Sequence, residues 1–377
     1  MAFPGFEICL GEGLTLSSRI AWILADGAGG VSISLTSHLD TPSSPIRLFL
    51  EDAFPVLQGR RKGLPLPKEL TSLMGFGDLP PCCLQTLAPK SNQGTIGTAV
   101  DYRLRYCFGS YRSYDTVAAH GVGMLAGRVA KAGKEFLKFH DDLVARINPL
   151  ALSLSENAEA ALDASCVVMA WFEQIRRTRR LFPEFDVLLK KTRKPGDLLA
   201  AVQLEVVRDV GQLAVAFEKD AAHLFKPGPT FNPTFTGGGD VGGADADIIV
   251  DKTLIEFKCT ASLDAAKLRA AALQMLGYIL LDYEGRYDVS QVMVYLPRQR
   301  YSWSRPLWQL VLPPSDVATV LGRGSMDGVD SEVKARLQRL RSDFRRVAGS
   351  LGQALSFGAG SFPRFLICVV SVRCFCL

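Results

Sequence analysis

Residues Gly242–Thr260 read GGADADIIVDKTLIEFKCT. Two short apolar runs, IIV and TLI, flank Asp251-Lys252, which is the pattern of a strand, a tight turn and a second strand. With Asp251-Lys252 as a two-residue turn, Val250 faces Thr253, Asp247 faces Glu256 and Asp245 faces Lys258. Side chains alternate along a strand, so Asp245, Asp247, Glu256 and Lys258 fall on one face. Asp-Lys is not a favoured hairpin dipeptide. A three-residue turn would move the register by one and still leave Asp247 beside Glu256.

Two carboxylates roughly 4 Å apart repel by about 4 kcal/mol at an effective dielectric near 20. A purely structural sheet gains nothing from that repulsion, whereas a divalent cation reverses its sign. Hard Mg²⁺, or Mn²⁺, takes oxygen ligands: one or two carboxylates, waters and phosphate oxygens. Lys258 on the same face could orient or deprotonate a water, or stabilise charge on a phosphorus centre. Together these are the parts of metal-assisted phosphodiester hydrolysis. The plainer alternative is a surface hairpin with solvated acids. The apolar flanks IIV and LI speak for a central place in a sheet instead.

Outward from the hairpin the pattern changes twice. Residues 1–94 are rich in Gly, Pro and Ser, with short helices expected in LTLSSRIAWIL and after TPSSP, and no role legible. From Thr95 to about Phe225 the apolar spacing is helical, starting with Ile96, Val100, Leu104 and Phe108. PGDLLAAVQLEVVRDVGQLAVAFEKDAAHLF reads as one helix with Pro195 near its start. After the hairpin come a helix over 261–282, strands in SQVMVYLP and SRPLWQLVLP, and a basic amphipathic helix over 331–354. The expected class is α/β: a mixed central sheet flanked by helices, with a large helical insertion at about 115–225. The expected organisation is 1–94, a core over 95–312, and a C-terminal region over 313–377.

Asp247 followed by Glu256-Phe257-Lys258 on the next strand resembles the PD-(D/E)xK nuclease superfamily. Gln274-Met275-Leu276-Gly277-Tyr278 is a QxxxY, which resembles the RecB-type branch, and places Gln274 and Tyr278 on one helix face. Gly97-Thr98-Ala99-Val100-Asp101 is similar to that branch's GTxxH helix opening, with Asp101 where histidine is frequent. The resemblance implies a restriction-endonuclease-like core and a Mg²⁺- or Mn²⁺-dependent nuclease. Asp247, Glu256 and Asp101 would be its metal ligands, with Lys258, Gln274 and Tyr278 completing the catalytic set. Glu205 is the alternative acid from the helical region, and Asp245 the same-face reserve. Tyr102, Arg103 and Arg105 beside Asp101 are candidate substrate contacts. DNA is the expected partner ahead of RNA, in a bacterial or phage repair, recombination or anti-phage setting. Some RecB-type nucleases carry an iron–sulfur cluster, but the tail spacing C-x5-C-x-C of Cys368, Cys374 and Cys376 departs from theirs, so structural or incidental thiols are expected.

Three basic stretches would suit a phosphate backbone. They are Arg176–Lys194, RQRYSWSR at 298–305 with its interleaved Tyr301 and Trp303, and the arginines of the last helix. The formal net charge of the 377-residue chain is +5, which permits an anionic partner without demanding one. Its nine cysteines include no CxxC, and MAFPGFEICLGEG lacks a basic flank and apolar core. A reducing cytoplasmic compartment is therefore expected. FLICVVSVRCFCL is shorter than a membrane helix requires, so no membrane contact is expected.

Overall fold

A computed structural model describes residues 34–57, 74–77, 79–89, 92–108, 112–146, 156–224 and 228–357. The expected helix in LTLSSRIAWIL and the three tail cysteines lie outside these residues.

The protein is a mixed α/β fold. Five strands, β1 (Thr230–Phe231), β2 (Ile248–Val250), β3 (Thr253–Phe257), β4 (Gln291–Leu296) and β5 (Tyr301–Pro306), form one sheet in that order. Every neighbouring pair is antiparallel except β3 and β4, which run parallel. The hairpin register is the one read from the sequence: Val250 pairs with Thr253, Ile249 with Leu254 and Ile248 with Ile255. Asp251 and Lys252 sit at φ +47° and +62°, the left-handed pair that a two-residue turn between right-twisting strands requires. The Lys252 carbonyl accepts from the Ser290 and Gln291 amides, which docks the turn onto the start of β4.

Thirteen helices are described. Before the sheet lie α1 (Leu35–Asp40), α2 (Pro45–Ala53), α3 (Gln93–Arg105), α4 (Val117–Gly123), α5 (Gly127–Arg146), α6 (Glu156–Thr178), α7 (Pro183–Lys191), α8 (Gly196–Ala200) and α9 (Leu204–Asp220). α10 (Ala265–Leu281) makes the crossover between the parallel strands β3 and β4. After β5 come α11 (Leu307–Val311), α12 (Pro314–Arg323) and α13 (Val329–Phe357).

Both sheet faces are covered, so the central strands read as continuous apolar runs. Ile249, Leu254, Val292, Val294 and Leu296 pack with α1, α2, α10 and α13. Ile248, Val250, Ile255, Phe257, Met293 and Tyr295 pack with α3 to α9. Helices α3 to α9, which include the described part of the expected insertion, are therefore the layer that buries the second face. On the first face Gly277 of α10 permits a close approach: a Cβ there would stand 2.9 Å from Leu35 Cδ2. That contact fixes the distance between α10 and the α1–α2 pair.

Two expectations are corrected. SRPLWQLVLP is not one strand: β5 begins upstream at Tyr301 and stops at Pro306, and Leu307–Val311 is helical. Pro306 has no amide to extend the ladder, and it occupies the cap position of α11. The expected single helix over 195–225 is two, α8 and α9, separated by an extended Gln203. Nothing in the hydrophobic spacing explains that break, because Leu198 and Val206 enter the same core.

Candidate functional site

The ladder of β2 and β3 ends at Ile248 and Ile255, and the next residues on each strand are Asp247 and Glu256. Strand alternation puts both on the face that carries Ile249 and Leu254, toward α10. Asp247 Oδ2 accepts from the Phe257 amide at 2.7 Å. This bond fixes its carboxylate across the open end of the hairpin. Glu256 is buried, and its Oε1 accepts from Lys258 Nζ at 2.8 Å and Gln274 Nε2 at 3.1 Å. Glu256 Oε2 is also buried and has no hydrogen-bond partner among the described residues. A buried carboxyl oxygen left without a partner costs free energy until something cationic or protic reaches it.

α10 supplies the opposite wall. Asp264 caps it by accepting from the Lys267 amide at 2.8 Å, and Gln274 and Tyr278 stand one turn apart. Gln274 Oε1 accepts from Lys258 Nζ at 3.1 Å, and its Nε2 donates to Tyr278 Oη at 2.6 Å. The amide orientation follows, since oxygen must face the ammonium and nitrogen the two acceptors. The Tyr278 ring is itself held, stacked on Phe235 at 5.4 Å and 12°. Asp247, Glu256, Lys258, Gln274 and Tyr278 thus belong to one connected site.

The electrostatics of this group are those of crowded acids. Burial pushes the Asp247 carboxyl up to about 7, the charge of Glu256 adds to the rise, and Lys258, the Phe257 amide and Arg105 oppose it. Burial works to lower the Lys258 pKa, but the charges of Glu256 and Asp247 outweigh it and hold the ammonium above its ordinary value. Lys258 is therefore a resting cation, suited to stabilising negative charge and not to removing a proton from water.

Asp101 is close enough to feel this site. Burial raises its carboxyl to about 7, Arg105 opposes, and the charge of Asp247 adds to the rise. Both of its oxygens are taken by Arg105, Nε to Oδ1 at 3.1 Å and Nη2 to Oδ2. Among the described residues no group of three or more His, Cys, Asp or Glu side chains is placed to hold a metal ion. Asp101 is thus not gathered with Asp247 and Glu256 into one three-carboxylate cluster.

The residues beside Asp101 are interior. Tyr102 donates to Glu173 at 2.5 Å, Arg103 pairs with Asp163 at 2.9 Å, and all three of Tyr102, Arg103 and Arg105 are buried. None of them offers an open face to a substrate. Asp245 turns to Arg177, 3.4 Å away, which also pairs with Glu173 at 2.6 Å. Glu205 is exposed in the first turn of α9.

The sequence reading missed Glu173, Asp163 and Asp209. Asp209 and Arg298 form a wholly buried pair with two contacts at 2.8 and 3.0 Å, and Arg298 Nε donates to the Cys259 carbonyl at 2.9 Å. Arg298 is thus no nucleic-acid contact. It anchors the chain one residue past Lys258. Trp303, expected among the base-stacking aromatics, is buried and donates to the Met74 carbonyl. Of the last helix, Arg336 and Arg341 donate to the Val311 and Ile279 carbonyls, while Arg339, Arg345 and Arg346 are exposed. Arg177, Arg179, Arg180, Lys190, Lys191, Arg193 and Lys194 are exposed. An acid inside an apolar helical run, as in LDASCVVMAWFEQI, was the one signal pointing to Asp163 and Glu173.

No family model matches the chain, and no curated protein and no solved structure is significantly similar to it. Among the described residues no helix is long and apolar enough to cross a membrane.

Proposed function

We propose that the protein is a metal-dependent nuclease of the PD-(D/E)xK type, built on a restriction-endonuclease-like core and acting on DNA in preference to RNA. The observation that carries this reading is the buried, partnerless Oε2 of Glu256 beside the crowded carboxyl of Asp247, with Lys258 in direct contact. An all-oxygen donor set of two carboxylates fits a hard divalent cation that keeps waters and phosphate oxygens as its other ligands. Asp247 and Glu256 would hold it, and Asp101 is the third candidate once Arg105 gives up one of its oxygens. The cation would polarise the scissile phosphate and acidify a water.

The chain's own groups do the rest. Lys258 places a fixed ammonium where negative charge develops at phosphorus. Gln274 holds that ammonium in line, Tyr278 holds Gln274, and Phe235 holds Tyr278. The exposed cations Arg179, Arg180, Lys191, Arg193 and Lys194, in and on either side of α7, supply a surface for the phosphate backbone. Preference for DNA rests on the resemblance alone.

The test is cleavage of end-labelled single- and double-stranded DNA, and of RNA, with Mg²⁺ or Mn²⁺. Lys258→Ala and Asp247→Ala should each lower the rate by about 10²-fold or more, the usual loss for a charge-stabilising group. Unchanged cutting in both variants refutes the site. Tight DNA binding without cutting of any substrate would make the protein a nucleic-acid-binding relative of such nucleases instead.

A further inference from the structure

A cavity of about 380 Å³ opens between α4, the C-terminal end of α6 and the glycine-rich segment 238–245. Its volume falls at the lower end of the range of small-molecule sites. Phe235 lines it and stacks on Tyr278, so the cavity adjoins the carboxylate site. Asp247, Glu256 and Lys258 are not in its wall.

The wall is polar, and most of its polar groups have no partner within the protein. Arg177 is the exception, 2.6 Å from Glu173 and 3.4 Å from Asp245. Its neighbour Arg176 is half-buried and makes no ion pair or side-chain hydrogen bond among the described residues. The same holds for the side chains of His120, Asn232 and Thr234. Two acids face the cavity: Asp245, answered by Arg177, and Asp115, which is exposed. Gly121 brings His120 close to Arg176, because a Cβ there would stand 3.5 Å from the Arg176 amide nitrogen. Gly239 belongs to the glycine-rich wall. Its φ lies outside the left-handed region, and a Cβ on it would meet no atom within 4 Å. Neither strain nor packing calls for glycine at that position. What it leaves is bare backbone that a ligand can approach closely.

We infer that this cavity binds a small sugar phosphate, with the phosphate on Arg176 and His120 and the hydroxyls on Asn232, Thr234 and Asp115. A guanidinium with no acid of its own and an imidazole beside it match phosphate oxygens. A bare phosphate would leave most of the space unfilled and would set its charge against Asp115. A hydroxylated body fills the space and donates to that carboxylate. An apolar body would strand Asn232 and Asp115 without partners. The inference stands apart from the nuclease reading, since it needs neither Asp247 nor a metal.

The test is calorimetry of the full chain with ribose 5-phosphate in EDTA, which keeps divalent ions off the carboxylates. The wild type should bind a single equivalent. Ribose and inorganic phosphate should each bind about tenfold more weakly or worse, because each lacks part of the contacts. Arg176→Gln removes the cation and should weaken sugar-phosphate binding by about tenfold or more. Gly239→Leu should abolish binding by filling the cavity, with circular dichroism unchanged because a Cβ there has room. No saturable heat from the wild type, an affinity that survives both variants, or binding no tighter than that of inorganic phosphate overturns the inference. So does a 5′-phosphorylated oligonucleotide that binds more tightly than ribose 5-phosphate and loses that affinity in Gly239→Leu, since the cavity would then hold the end of a strand. A protein that binds the sugar phosphate but cuts no nucleic acid with Mn²⁺ keeps this site and loses the nuclease reading. One that cuts without binding it does the reverse.

Discussion

Asp247→Asn should separate function from stability in opposite directions. The variant keeps an oxygen to accept from the Phe257 amide and removes one charge of the crowded pair. In the metal-free protein the Asp247 carboxyl titrates near 7 against an ordinary 3.8, a rise of about 3 units, or roughly 4 kcal/mol. The carboxylate is half-buried, and the water that reaches it screens the effect, so about 2 kcal/mol is the working figure. A carboxyl whose folded pKa lies above its unfolded value binds its proton more tightly when folded. Stability from that proton is complete below about 4 and is lost as pH rises through 7. In EDTA the Asn variant should therefore melt with the wild type at pH 4 and several degrees above it at pH 8. A saturating divalent metal should invert the order, because a ligand at a hundred times its Kd stabilises the wild type by about 2.7 kcal/mol and the variant has lost a ligand. Thermal unfolding at the two pH values, with EDTA and with Mn²⁺, reads all four states. A variant that melts below the wild type at pH 8 without metal, or curves that stay parallel from pH 4 to pH 8, would refute the account of this site.

The other expectations concern the frame. Arg298→Met strands the Asp209 carboxylate in the core and should cost about 3–5 kcal/mol in urea unfolding, while Arg298→Met/Asp209→Leu should recover most of that loss. Asp251→Asn/Lys252→Gly matches the two left-handed turn positions and should add about 0.5–1 kcal/mol, since the Lys252–Asp288 pair it removes is exposed. His140, between Tyr106 and Ser165, is held neutral by burial with its pKa lowered to about 3. Its share of stability is complete above the unfolded value of 6.5 and is lost as pH falls from there toward 3. His140→Gln should flatten the acid limb of a stability-against-pH curve, and an unchanged limb would contradict the assignment.

The hairpin was legible because its information is local. Apolar runs on either side of a two-residue turn fix a register, and a register fixes which acids share a face. Gln274 and Tyr278 were legible for a related reason: four residues apart on a helix is one direction in space. The buried polar pairs carry no such constraint. Arg103 meets Asp163, Tyr102 meets Glu173 and Arg298 meets Asp209 across separations of 60, 71 and 89 residues. An arginine in RQRYSWSR reads the same whether it faces water or the core, so only its partner decides. The same limit governed Asp101: its spacing from Gly97 marked it as a candidate, and its carboxyl lies where the charge of Asp247 reaches it, but the spacing said nothing of Arg105 one turn on.

That last pair bears on how the site would work. Arg105 already answers the charge of Asp101, and the charge of Asp247 also favours the cationic form of Arg105. The protein therefore carries a guanidinium of its own where a third carboxylate ligand was expected, and that charge tempers the acid crowding. Entry of a cation at Asp247 and Glu256 would place a second positive centre near that guanidinium. Either Asp101 stays with Arg105 and two carboxylates hold the ion, or Arg105 yields one oxygen. Arg105→Met distinguishes the two. If Asp101 is a ligand held in reserve, the variant should bind Mn²⁺ more tightly than the wild type by calorimetry, because the competing guanidinium is gone. If Asp101 serves only Arg105, the variant should leave Mn²⁺ affinity unchanged and lose stability through an unpaired buried carboxyl.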